Sequence, residues 1–147
     1  MDFDLDRFLI AQEPVYERVT KELRNGRKHS HWMWFVFPQI AGLGHSEMAR
    51  RYAIPSLDDA RRYLADTVLG HRLRECTALV LETKAETARE IFGHPDDLKF
   101  HSCMTLFEAA APEDTEIEFR QALDRFFAGK KDSLTVAKLE EQREERP

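Results

Sequence analysis

The sequence is poor in the residues from which many scaffolds and sites are built. Its 147 residues include two cysteines, six glycines and six prolines. Cys76 and Cys103 cannot make a disulfide framework, and each lies inside an apolar helical pattern, so both are expected as reduced core residues. Basic residues are not in excess: 22 Lys and Arg stand against 27 Asp and Glu, for a net charge of −5. Duplex nucleic acid is therefore excluded as an expected partner, although a small basic cluster could still hold one phosphate. The longest apolar run, Trp32 to Pro38, is far too short to span a bilayer. Met1-Asp2-Phe3-Asp4 is acidic and lacks the basic-then-apolar order of a signal peptide. A cytoplasmic location is the expectation that follows. There is no GxSxG, P-loop or dinucleotide fingerprint. His29, His31 and His45 lack the ligand number and spacing of a zinc site, so neither metal nor cofactor is expected.

What is present is helix punctuation. Pro14 and Gly26 bracket a stripe of Tyr16, Val19 and Leu23. Ser56-Leu57-Asp58-Asp59 resembles a capping box, with Asp in place of Glu. Thr67 is placed to cap the next helix, whose buried face carries Leu69, Leu73, Cys76, Leu79 and Val80. Thr83 or Thr87 opens a short piece that Gly93 ends, and Pro95-Asp96-Asp97 starts another helix. Ile117, Leu123, Phe126 and Phe127 mark a further one, closed by Gly129, and Asp132 or Ser133 caps the last. No hairpin signal or sustained alternation appears. The spacing predicts an all-α, single-domain array of about seven or eight helices over residues 1–139. Residues 140–147 are expected as a charged tail that frays.

Two segments break this pattern. Trp32-Met33-Trp34-Phe35-Val36-Phe37 packs aromatic area into six residues, flanked by Lys28, His29, Ser30, His31 and Gln39. The rings read either as a core anchor or as the wall of a pocket for a flat ligand. In the second segment, residues 98–107, Phe100, Cys103, Met104 and Phe107 share one face. Leu98 and Leu106 alternate with Lys99, Ser102 and Thr105 on the other. A helix apolar nearly all round is buried. The three polar residues then either bond locally, with Lys99 reaching solvent, or face a cavity.

At these segments the chain resembles a bacterial family, the domain of unknown function numbered 1810. The matching residues are 30–39, Gly42-Leu43-Gly44-His45-Ser46, Tyr52, Ile54, Leu69-Gly70, Arg72-Leu73, Asp97-Leu98-Lys99, Ser102 to Phe107, Gly129, Asp132 and Thr135. The resemblance spans about residues 3–139 and implies a compact helical fold without an established activity. The family pattern has a second serine where this chain has Cys103, so no mechanism can rest on a hydroxyl there. The calpastatin label attached to some members fits poorly, because calpastatins resemble disordered, proline-rich chains.

The leading expectation is one pocket for a nucleotide-like or other anionic metabolite, carrying phosphate or carboxylate. It would be walled by the 32–39 segment and the 99–105 helix. Lys28 and Lys99 would supply charge, Trp34 a ring face, and His31, Gln39, Ser102 and Thr105 hydrogen bonds. Were it an enzyme, hydrolysis or transfer would fall to His31 as acid or base, its pKa lying nearest neutrality. The competing reading is a protein-interaction module without a pocket, with exposed aromatics from residues 32–37 as its mark.

Overall fold

The sequence punctuation becomes hydrogen bonds in the structure, a computed structural model that describes residues 3–112 and 117–145. Among these residues the chain forms α1 (Asp6–Gln12), α2 (Tyr16–Arg24), α3 (Met33–Val36), α4 (Glu47–Arg51) and α5 (Leu57–Ala65). These are followed by α6 (Thr67–Glu82), α7 (Ala88–Phe92), α8 (Asp96–Ala110), α9 (Glu118–Phe127) and α10 (Ser133–Glu145). No strand is present among them; a lone parallel bridge joins Ile40 and Ile54. The ten helices exceed the expected seven or eight by α1 and α4. These are seven and five residues long, too short for periodicity to stand out, and α1 has no side-chain cap. Of the expected tail, residues 140–145 continue α10, and residues 146–147 lie outside the described residues.

The caps explain where the helices stop and start. After α2 the Gly26 N–H donates to Leu23 O and the Arg27 N–H to Glu22 O, a Schellman end with Gly26 at φ +76°. Ser56, Thr87 and Asp132 accept the N–H groups of Asp59, Glu90 and Thr135. Asp66, not Thr67, caps α6, accepting from the Val68 and Leu69 amides, because its carboxylate reaches two orphan donors at once.

Helix α8 is the axis of the fold. Phe100, Cys103, Met104, Leu106 and Phe107 are fully buried, and α5, α7, α9 and α10 pack around them. Phe37, Phe92 and Phe100 form a ring cluster with centroids 4.7–5.6 Å apart. Trp32 is 1% exposed and belongs to this core, whereas Trp34 is half-buried at its margin. At the α5–α6 junction a Cβ on Gly70 would lie 2.1 Å from the Leu64 carbonyl oxygen, so only glycine permits this approach. Cys76 and Cys103 are buried free thiols; burial pushes Cys76 up to about 12 and Cys103 well above the ordinary value.

Candidate functional site

Three buried or half-buried carboxylates, none of them among the expected site residues, organise the polar residues of the two unusual segments. Glu22 sits beside Val19 and Leu23 on the apolar face of α2 and is 8% exposed. Its Oε1 accepts the backbone N–H of His29 (2.7 Å), that of Ser30 (3.1 Å) and the indole N–H of Trp32 (3.0 Å). Its Oε2 accepts the Ser30 hydroxyl at 2.6 Å. Burial alone would raise this carboxyl. The Ser30 hydroxyl, the His29 and Ser30 amides and the Trp32 ring outweigh it and hold the group at about 2. The Ser30-His31-Trp32 motif is therefore a folded loop built around an anion of the chain itself.

Asp96, in the first turn of α8, is gripped by two lysines. Lys28 Nζ lies 2.9 Å from Oδ2, and Lys99 Nζ lies 3.0 Å from Oδ1. Burial disfavours the charge on Asp96, but both ammonium groups outweigh it and lower its pKa. The Lys28 side chain is only 7% exposed and its Nζ stands 5.3 Å from the centroid of a Trp32 ring. Lys99 thus has an acidic partner, three residues back on its own helix, rather than a free charge in a cavity.

Asp132, the cap of α10, gathers the remaining pair. Its Oδ2 accepts from Ser102 Oγ (3.2 Å), Thr135 N (3.0 Å) and Thr135 Oγ1 (2.6 Å). Its own N–H donates to Thr105 Oγ1, which donates to the His101 carbonyl four residues back. Ser102 and Thr105 are buried and fasten α10 to α8.

The expected site residues are therefore drawn into two pairs, Lys28 with Lys99 and Ser102 with Thr105. His31 is exposed and has no hydrogen-bond partner among the described residues. Gln39 is half-buried, and its backbone carbonyl accepts from Ile54. Trp32, Phe35 and Phe37 are buried, so the run offers no exposed aromatic patch.

One of the seven, Lys28, also lines a cleft of about 380 Å³ between the chain leaving α2 and the end of α7. Arg27 and residues 89–93 complete its walls, and the Lys28 N–H to Ile91 O bond of 2.7 Å ties the two sides together. Arg27 and Arg89 are exposed and meet no acid among the described residues. The Glu90 carboxylate accepts the Glu86 amide. Neither arginine stands out in the sequence, because an isolated surface arginine looks like any other until the fold sets it beside a second. Among the described residues no group of three or more His, Cys, Asp or Glu side chains is placed to hold a metal ion. No described helix is long and apolar enough to cross a membrane.

The crystal structure of the conserved hypothetical protein Rv1873 from Mycobacterium tuberculosis is similar to this chain. It has a TM-score of 0.90 and 52% sequence identity, over 94% of this chain and 97% of that one. No curated protein matches the chain significantly. The sequence pattern of the proteins of unknown function DUF1810 matches residues 2–139, and the chain belongs to that family.

Proposed function

We propose that the protein is a binding module for a small anionic metabolite, phosphate-bearing ligands such as nucleotides included, and that the anion sits in the cleft of Arg27, Lys28 and Arg89. The observation that carries this reading is the imbalance of charge in the cleft. Two exposed arginines without acidic partners among the described residues line it against the single carboxylate of Glu90, while the charge of Lys28 is already matched by Asp96. Guanidinium groups bind phosphate and carboxylate oxygens through paired hydrogen bonds, and two arginines of this kind line the one cleft. Lys28 shapes the wall between them, its ammonium held by Asp96 and by the ring of Trp32. The Glu22 carboxylate serves the same end at a distance: it folds the 29–32 loop that follows Lys28.

Binding is assigned rather than chemistry. His31, the residue expected to act as acid or base, is exposed, has no hydrogen-bond partner among the described residues and does not line this cleft, so the reading rests on binding alone. The rings of Trp32 and Phe92 are buried, so the cleft favours the anionic group of a ligand over a stacked base.

The test is a thermal-shift and calorimetric titration with pyrophosphate and ATP, run on the wild type and on the Arg27→Gln/Arg89→Gln double variant. At a hundredfold the dissociation constant a ligand should stabilise the wild type by about 2.7 kcal/mol. Both arginines are exposed, so the double variant should melt with the wild type in buffer and lose that gain. A gain that survives in the double variant, or no gain in the wild type, rules out the cleft.

A further inference from the structure

A second cavity lies on another part of the molecule, between the start of α5 and the end of α10. It has a volume of about 530 Å³, within the range of small-molecule sites, and its walls include Pro55, Leu57, Arg61, Leu139, Gln142, Arg143 and Glu145. Its origin is legible in the spacing of α10. Thr135 is buried and Leu139 half-buried, so the stripe facing the core recurs at helical period. One turn further the same face presents Gln142 and Arg143 where an apolar side chain would close the gap to Leu57. Gln142 Nε2 donates instead to the Pro55 carbonyl at 2.7 Å and holds the helix across the opening.

The lining has the character of an amphiphile. Leu57, Leu139 and Pro55 are apolar walls. Arg61 also borders a second depression of about 530 Å³, lined by Leu64 and residues 109–112, so apolar side chains lie on both sides of this residue. The charge is modest: two arginines against Glu145, with Arg61 already 3.0 Å from Asp58. Arg143 meets no acid among the described residues. One uncommitted guanidinium can balance a monoanion but only half of a phosphate dianion, and Glu145 repels the dianion about twice as strongly as the monoanion.

We infer that this cavity binds a monocarboxylate with an apolar tail, the carboxylate on Arg143 and the tail along Leu57 and Leu139 toward Leu64. The site is independent of the Arg27–Arg89 cleft.

The experiment is an amide-resolved NMR titration of the full chain with octanoate, octan-1-ol and inorganic phosphate, on the wild type and on Arg143→Gln. Arg143 is exposed, so its variant keeps the fold. Octanoate should move the amides of Leu57, Arg61, Leu139 and Gln142, and phosphate should leave them in place. Arg143→Gln should weaken octanoate roughly tenfold, the loss of one charge-assisted contact, while octan-1-ol binding stays unchanged. The inference is overturned if octanoate moves none of these amides, if Arg143→Gln weakens acid and alcohol alike or neither, or if phosphate displaces octanoate. It is equally overturned if the shifts centre on Arg27 and Arg89.

Discussion

Glu22→Gln isolates the charge at the centre of the 29–32 loop. Gln can put its carbonyl oxygen where Oε1 accepts three N–H groups and its amide where Oε2 meets the Ser30 hydroxyl, which can turn to accept. Shape and hydrogen-bond count are kept; the negative charge is lost. The folded carboxyl titrates at about 2 and the ordinary value is 4.5. A pKa depressed by folding contributes stability that is fully present above the unfolded value and fades as pH falls toward the folded one. The ionised form should therefore be worth about 3 kcal/mol at pH 7 and about half of that at pH 3. Urea unfolding followed by circular dichroism, on both proteins at both pH values, reads the difference directly. Other acid-titrating groups are common to the two proteins and cancel. The gap between wild type and Glu22→Gln should roughly halve between pH 7 and pH 3. An equal gap at the two pH values would mean that the carboxylate contributes shape rather than charge, and the account of the loop would fail.

Asp132→Ala removes the cap of α10 and its tie to Ser102, and should cost about 2–3 kcal/mol in urea unfolding. Lys99→Met leaves Asp96 paired with Lys28, so a loss of about 1 kcal/mol or less is expected, read as a small shift in denaturation midpoint. Asp96→Asn is the contrasting change. It strands the nearly buried Lys28 ammonium and should cost about 3 kcal/mol by the same measurement, so the order of these two variants tests which member of the cluster is structural. Gly70→Ala drives a Cβ to within 2.1 Å of the Leu64 carbonyl and should lower the melting temperature by the equivalent of about 3 kcal/mol, whereas a silent change would show that the α5–α6 junction can open.

The helices were largely legible because their boundaries are local chemistry. Gly26, Ser56, Thr87, Gly93 and Asp132 act on amides and carbonyls within a few residues of themselves, and such signals survive in the sequence. Helix α1 was missed for the converse reason. Its Phe8 and Gln12 are fixed by distant partners, Phe8 against Tyr52 and Tyr63, and Gln12 on the Phe35 carbonyl and the Tyr63 hydroxyl. The sites depend still more on distance along the chain. Asp96 meets Lys28 across the fold, Asp132 meets Ser102 from another helix, and Arg27 meets Arg89 only because the backbone ties Lys28 to Ile91.

One signal for a central residue was nevertheless present. Glu22 stands on the same face as Val19 and Leu23, where a solvated helix would carry an apolar residue. A charge in that position must find donors, and the polar loop beginning at Lys28 is the nearest supply. The same reasoning runs in reverse along α10. Where Gln142 and Arg143 replace apolar residues on the face of Thr135 and Leu139, one polar atom finds the Pro55 carbonyl and a guanidinium is left without an acidic partner among the described residues. Polar residues that interrupt a core-facing stripe thus mark two different things here: a satisfied internal anion at Glu22, and an exposed cation without an acidic partner among the described residues, beside a cavity, at Arg143. The hydrogen-bond inventory separates them, and only the second has the capacity left over to hold a ligand.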